Sequence, residues 1–321
     1  MSEPRITACI LAAGKGTRLT SERPKVMHEV CGRPMLSHVI DACRAAGVQQ
    51  CVVVVGYEKA QITDALSSED DLVFVEQAEQ LGTGHAVMVC HEALAGKCDH
   101  VLVLCGDGPL IRPKTIRQLI DQHIANKAAA TLATAEIDDP AGYGRIVRDG
   151  DGNLRGIVEH KDCSPDQRAI REVNPSYYCF RVEDLLESLT KIENDNAKGE
   201  YYVTDTLSVL VEAGRTVTAM TAVPPEDIFS INSRADLAMV NRVLRDRING
   251  EMMESGVTIV DPQTTWIDAR AQIGPDTVVH PFTCISGKVL IGRACTIGPF
   301  AHVREGTVLG DNVAFSAMAG A

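Results

Sequence analysis

The chain has 321 residues, 45% of them apolar, which is enough for a sizeable core and for two domains on a prior of roughly one domain per 100–200 residues. Its formal charge of −12 excludes a nucleic-acid partner unless a local basic face is set apart, because an acidic surface repels the phosphate backbone. Eleven cysteines without a C-x-x-C pair read as small core residues of a reducing cytosol; with no long apolar run and no signal-like segment after Met1–Arg5, a cytoplasmic chain without a membrane partner is expected.

The first element is the apolar run 6–11, which reads as a buried strand opening an α/β domain. It runs into a loop, Leu11 to Arg18, where Gly14 and Gly16 permit tight turning and close anion approach, and Lys15, Arg18, Arg23 and Lys25 place four positive charges within eleven residues. Polyphosphate suits such a loop. The dinucleotide fingerprint fails because its third glycine position is Leu19, and the P-loop fails because one residue, not four, separates the glycines.

Further strands are expected at 51–55, 72–75 and 101–104, and helices at 35–46, 59–66, 84–95 and 113–126, the last with Pro113 in its first turn. That alternation marks a parallel sheet covered by helices, whose ligands bind beyond the carboxyl ends of the strands. Gly14–Arg18 and Gly106–Asp107 both belong to that edge. A strand-terminal aspartate standing alone is more often a turn residue or a cap, but beside a cationic phosphate loop Asp107 becomes a candidate Mg²⁺ ligand. Between these motifs, Gln77 offers donor and acceptor groups for a pyrimidine edge, and Gly82, Thr83 and Gly84 allow close backbone approach to the base.

The segments 145–148 and 154–159 read as a hairpin around a Gly/Asp/Asn turn. One long helix is expected from Ser233, as its cap, to about Glu254. Beyond it Ile267, Ile273, Val279, Ile285, Ile291, Ile297, Val303, Leu309 and Phe315 recur every six residues, each preceded at two positions by a small or β-branched residue. This is the hexapeptide pattern of a parallel β-helix, and at three hexapeptides per turn it makes about three coils.

The motif L-A-A-G-K-G-T-R-L-x(5)-P-K resembles that of sugar-phosphate nucleotidyltransferases. Together with Gln77–Ala86, Gly142–Arg145, Ile157–Asp162, Glu172–Asn174, Gly199–Asp205 and Ile231–Arg234, it makes the whole chain similar to the bifunctional N-acetylglucosamine-1-phosphate uridylyltransferase/glucosamine-1-phosphate N-acetyltransferase family. The resemblance implies an α/β nucleotidyltransferase with a Rossmann-like mixed sheet over residues 1–232, a linker helix over 233–255 and a short left-handed parallel β-helix over 256–321. It implies UTP and N-acetylglucosamine-1-phosphate as substrates, UDP-N-acetylglucosamine as product, Mg²⁺ as cofactor and a homotrimer as assembly.

By the same resemblance Leu11, Ala12, Gly14, Lys25, Gln77, Gly82 and Thr83 would hold the nucleotide, and Gly144, Glu159, Asn174 and Asn232 the sugar. Asp107 and Asn232 would ligate the metal, and Arg18 and Lys25 would be the catalytic cations. Other sugar-1-phosphates with other nucleotides, or a non-catalytic regulatory subunit, are the alternatives; retention of Arg18, Lys25, Asp107 and Asn232 together argues against the latter. Gly108, and Pro175-Ser176 where the family reads Thr-Gly, depart from the pattern. Nothing after Arg304 matches the family's acetyltransferase site, so that activity is expected to be absent, and the tail 315–321 is expected to leave the coil uncapped.

Overall fold

In the computed structural model, residues 4–196 and 198–316 are described; the end of the expected uncapped tail, 317–321, lies outside them. Two compact units are formed, the first from residues 4–28 and 35–230, the second from 29–34 and 231–316.

The first unit is built on a sheet whose centre is Ile6–Leu11, buried along almost its full length. It pairs in parallel with Gln50–Val55 on one side and His100–Cys105 on the other, and Leu72–Glu76 extends the parallel run past Gln50–Val55. On the other side the parallel pairing gives way. Glu172–Arg181 lies antiparallel between His100–Cys105 and Ala130–Glu136, and Val217–Thr221 then pairs in parallel with the latter. The sheet is therefore mixed, as the family resemblance implies. The expected hairpin forms from Gly144–Arg148 and Leu154–Val158, and it hangs from the start of Glu172–Arg181.

Alternation along the strands divides the core into two layers, since successive side chains point to opposite faces. Ile10, Val53 and Leu104 pack with Leu36, Ile40, Ile116 and Leu119 of helices Met35–Ala45 and Pro113–Ala125. Cys9, Val52 and Val103 pack on the other side with Val87, Leu94, Leu185 and Leu207. The helix expected over 84–95 is two short ones, Thr83–Met88 and His91–Leu94.

In the second unit, helix Arg234–Glu254 starts at a capping box in which the Ser233 side chain accepts from the Asp236 N–H and the Asp236 carboxylate accepts from the Ser233 N–H at 2.8 Å. Two-residue strands then stack in three short parallel sheets, with register partners such as Trp266, Cys284 and His302 spaced eighteen residues apart. Three hexapeptides thus complete one coil, and Ile267, Val279, Ile285, Ile291, Ile297 and Val303 are buried in its interior. Ile273, Leu309 and Phe315 are only partly covered. Within this unit the Arg245 guanidinium sits 5.0 Å from the Trp266 ring centroid, and the Asn249 amide donates to the carbonyls of Pro262 and Thr265, fastening the helix to the first coil. The short hairpin 29–34 docks here too, with the Cys31 N–H donating to Asn241 Oδ1 at 2.9 Å. Among the described residues no helix is long and apolar enough to cross a membrane.

Candidate active site

Register decides what meets at the carboxyl edge of the parallel strands. Leu11 stands opposite Val54 and Cys105, and short bonds tie the emerging loops together: Ala12 N–H to Val54 O (2.9 Å), Gly106 N–H to Leu11 O (2.9 Å), Tyr57 N–H to Ala13 O (3.2 Å) and Gln77 N–H to Val55 O (2.8 Å). Leu11, Ala12, Gly14, Gln77 and Asp107 are therefore gathered along one rim, as the strand order requires.

The two loop glycines serve different purposes. A Cβ on Gly14 would meet no atom within 4 Å, so this backbone faces open space. Gly16 has φ +65°, and a Cβ there would lie 2.7 Å from Lys25 Cβ. Its missing side chain makes room for the Lys25 stem, which delivers the ammonium group to a short ion pair with Asp107. Lys15 rests over the Tyr57 ring, 5.0 Å from its centroid. Arg18 is exposed in the single turn Thr17–Leu19, which is pinned by the buried Leu19. Beneath the rim, burial pushes the Cys105 thiol up to about 12, and the neighbouring Asp107 charge adds to the shift. A Cβ at Gly108 would sit 3.5 Å from Tyr177 Oη, an ordinary contact, so nothing in the packing demands glycine there.

Gln77 is buried, and its amide donates to Gly82 O at 3.0 Å and contacts His85 Nδ1 at 3.1 Å. The close approach expected at Gly82 and Gly84 is made by the protein's own chain. A Cβ on Gly82 (φ +105°) would come within 2.5 Å of Tyr201 O, while Gly84 N–H donates to that carbonyl at 2.7 Å and Thr83 Oγ1 accepts from Val203 N–H at 3.1 Å. The Glu200–Val203 segment thereby braces the Gln77 loop.

On the hairpin side, Gly144 pairs with Asn174, and a Cβ on it would lie 2.9 Å from Ile157 Cγ2, 3.5 Å from Glu159 Oε1 and 3.8 Å from Asn174 Cβ. Gly144, Glu159 and Asn174 are thus brought together. Loss of hydration and then the Asp162 charge hold the Glu159 carboxyl above its ordinary pKa, against the pull of Lys198. Asp205 is raised likewise, by loss of hydration and then by Glu159. Arg145 is wholly buried, with its terminal nitrogens on Tyr143 O and, at 3.3 Å, His160 Nδ1. Asn232 belongs to the second unit, where its N–H donates to Asp236 Oδ2 at 3.0 Å ahead of the helix cap.

Sequence reasoning passed over Tyr57 and Tyr178. Tyr57 was within its reach, two residues beyond a strand that ends on the ligand edge. Tyr178 carried no such signal, because a tyrosine among Tyr177, Cys179 and Phe180 reads as core.

A MobA-like NTP transferase domain matches residues 8–203. The bifunctional protein GlmU of Geobacillus sp. (strain WCH70) is 45% identical over 318 residues, covering 98% of this chain and 69% of that protein. That of Pelotomaculum thermopropionicum is 46% identical, covering 96% of this chain and 74% of its own length. That of Geobacter metallireducens is 46% identical over 94% of this chain and 64% of its own length. A solved UDP-glucose pyrophosphorylase complexed with UDP-glucose superposes at a TM-score of 0.62 with 17% identity, over 75% of this chain and 98% of that one, and so shares the fold. With this domain match and these relatives, the chain belongs to the bifunctional GlmU family and is a nucleotidyltransferase.

Proposed function

We propose that the chain forms UDP-N-acetylglucosamine and pyrophosphate from UTP and N-acetylglucosamine-1-phosphate. The observation that carries this reading is the Lys25–Asp107 ion pair beside the open backbone of Gly14, a cation and a carboxylate at a rim able to take a polyphosphate. The GlmU relatives support the choice of substrates.

A phosphate oxygen of the sugar phosphate attacks the α-phosphorus in line and pyrophosphate leaves. The nucleophile is already ionised, so catalysis is alignment and charge neutralisation and needs no general base. Leu11, Ala12 and Gly14 line the nucleotide with backbone groups, and Gln77, Gly82 and Thr83 face its base. Lys25 offsets charge on both reacting phosphates, while Arg18, exposed in the turn Thr17–Leu19, stabilises the departing pyrophosphate. Gly144, Glu159 and Asn174 receive the sugar.

Among the described residues no three His, Cys, Asp or Glu side chains converge on a metal. One hard carboxylate at a phosphate rim nevertheless fits Mg²⁺, which is commonly bound through one or two protein oxygens, substrate phosphates and water. Asp107 would hold it, and when bound it supplies neutralisation of phosphate charge. A trimer is part of the proposal, supported by exposed Phe282, Phe300, Leu290 and Val308 on the second unit; a monomeric mass in light scattering would remove it.

The test offers UTP, dTTP or CTP with N-acetylglucosamine-1-phosphate or glucose-1-phosphate and Mg²⁺, and follows pyrophosphate. UTP with the N-acetylated sugar is the expected pair. A preference for dTTP with glucose-1-phosphate would reassign the substrates, and no turnover with any pair would leave a non-catalytic role.

A further inference from the structure

The Asn174 carboxamide is held at both ends by its own strand. Its Oδ1 lies 3.0 Å from the Ser176 N–H and its Nδ2 lies 2.6 Å from Tyr178 Oη. The orientation follows from chemistry: a backbone N–H can only donate, so the end facing Ser176 is the carbonyl, and the amide nitrogen must face Tyr178. The tyrosine oxygen therefore accepts from Asn174.

The geometry that makes this clamp is a local irregularity. Strand register shifts between Val173 and Tyr177, Ser176 takes φ +67°, and Pro175 keeps Asn174 extended and paired with Gly144. Tyr178 is 1% exposed and packs 5.9 Å, centroid to centroid, from the Phe180 ring, so its hydroxyl is a fixed point. A carboxamide has two donor hydrogens and two acceptor lone pairs. Ser176 and Tyr178 use one of each, leaving one donor and one acceptor.

We propose that Tyr178 is a positioning residue for the sugar phosphate, its buried hydroxyl locking the Asn174 carboxamide so that the remaining N–H and lone pair present a fixed polarity to the sugar's acetamido or hydroxyl groups. An unlocked amide can rotate by half a turn at little steric cost and exchange donor for acceptor, which would blur discrimination between sugars. The inference rests on the reading of Asn174 as a sugar contact.

Tyr178→Phe removes only the oxygen. The expected result is a KM for N-acetylglucosamine-1-phosphate raised about tenfold, with kcat and the KM for UTP within about twofold, and preference over glucose-1-phosphate reduced by a similar factor, in line with the usual worth of one buried hydrogen bond. Added to Asn174→Ala, it should change the sugar KM by less than about twofold, because positioning has nothing left to position. Should Asn174→Ala leave the sugar KM unchanged, the assignment of that residue fails and the inference with it. Should Asn174→Ala raise the KM while Tyr178→Phe does not, or should the two effects add in full, positioning alone is overturned. If Tyr178→Phe does not fold, the unaltered protein decides: slow exchange of the Asn174 side-chain amide protons in the absence of substrate supports the clamp, and exchange at the rate of an exposed asparagine refutes it.

Discussion

Lys25 and Asp107, 82 positions apart in the chain, meet as an ion pair whose side chains are 14% and 19% exposed. The proposed metal ligand is therefore already compensated by the proposed catalytic cation. A divalent ion must share or displace Lys25, and like charges close together weaken each other's binding. Lys25→Ala is expected to lower kcat by about 10²–10³, typical for loss of a charge-stabilising group, while tightening Mn²⁺ binding several-fold by electron paramagnetic resonance. Asp107→Ala should abolish that binding. Weaker Mn²⁺ binding in Lys25→Ala would mean that Asp107 is not where the ion sits.

The contrast between Gly14 and Gly16 gives a second expectation. Gly14→Ala meets nothing in the protein, so its melting temperature should stay within about 2 °C of the parent while the KM for UTP rises at least tenfold, because the methyl group intrudes where phosphate must approach. Gly16→Ala collides with the Lys25 stem in a left-handed conformation. It should lower kcat, with a smaller effect on the KM for UTP. Equal kinetic profiles for the two variants would undo the separate roles argued for these glycines.

A buried histidine sets an acid limit on stability. His100 Nδ1 lies 3.0 Å from His123 Nε2, and His123 Nδ1 lies 3.0 Å from Thr131 Oγ1, in a chain that continues to Thr218. Burial, with His100 and Arg181 adding positive charge, lowers the His123 pKa to about 3. The neutral ring is favoured in the folded state, so the associated stability is complete above the unfolded value near 6.5 and is lost progressively as pH falls from there toward 3, by about 1.4 kcal/mol per pH unit. Denaturant midpoints should fall between about pH 6 and 5, and His123→Gln should flatten that slope. A parent slope of zero in this window rules the account out.

How far these features were legible in the sequence depended on the range of the interaction behind them. The hexapeptide repeat was fully legible because each coil repeats one local geometry and one inward side chain, as at Val279 and Ile297. The central strand 6–11 and the loop after it were equally plain. Ala130–Glu136 was not, since its three alanines carry little strand signal, and Glu172–Arg181 hid behind Asn174 and Pro175, which argue against a strand unless a bulge accommodates them. Without these two strands the antiparallel insertion was invisible. At the rim, the partners of Gly82 and Gly84 lie near Tyr201, a pairing that only tertiary structure fixes.

The departure at Ser176 makes a fourth expectation. Its φ of +67° is a conformation that favours glycine, the residue the family pattern carries there. Ser176→Gly should raise unfolding stability by about 0.5–1 kcal/mol in urea titration, the relief of left-handed strain exceeding the added chain entropy. The Ser176 N–H bond to Asn174 survives that change, so the sugar KM should stay within about twofold. A stability loss would show that the hydroxyl's contacts outweigh the strain.

The segment after Asp107 is anchored from a distance, and breaking that anchor should reach the active rim. Arg112 bonds Asp227 through two nitrogens, the Asp227 side chain is 1% exposed, and the Tyr177 hydroxyl donates to the Asp227 carbonyl at 3.1 Å. Removing one partner of a buried pair leaves an uncompensated charge, at about 3–5 kcal/mol when both partners are fully buried. Arg112 is 37% exposed, so solvent reduces that figure, and Arg112→Ala is expected to cost about 2–3 kcal/mol. Arg112→Met combined with Asp227→Leu removes both charges and should recover much of the loss. Because the loop 106–112 joins this anchor to the rim, the single variant should also reduce kcat several-fold, and the double variant should restore it in step with stability. Recovery of stability without recovery of kcat would instead place the Arg112 contribution at the site itself.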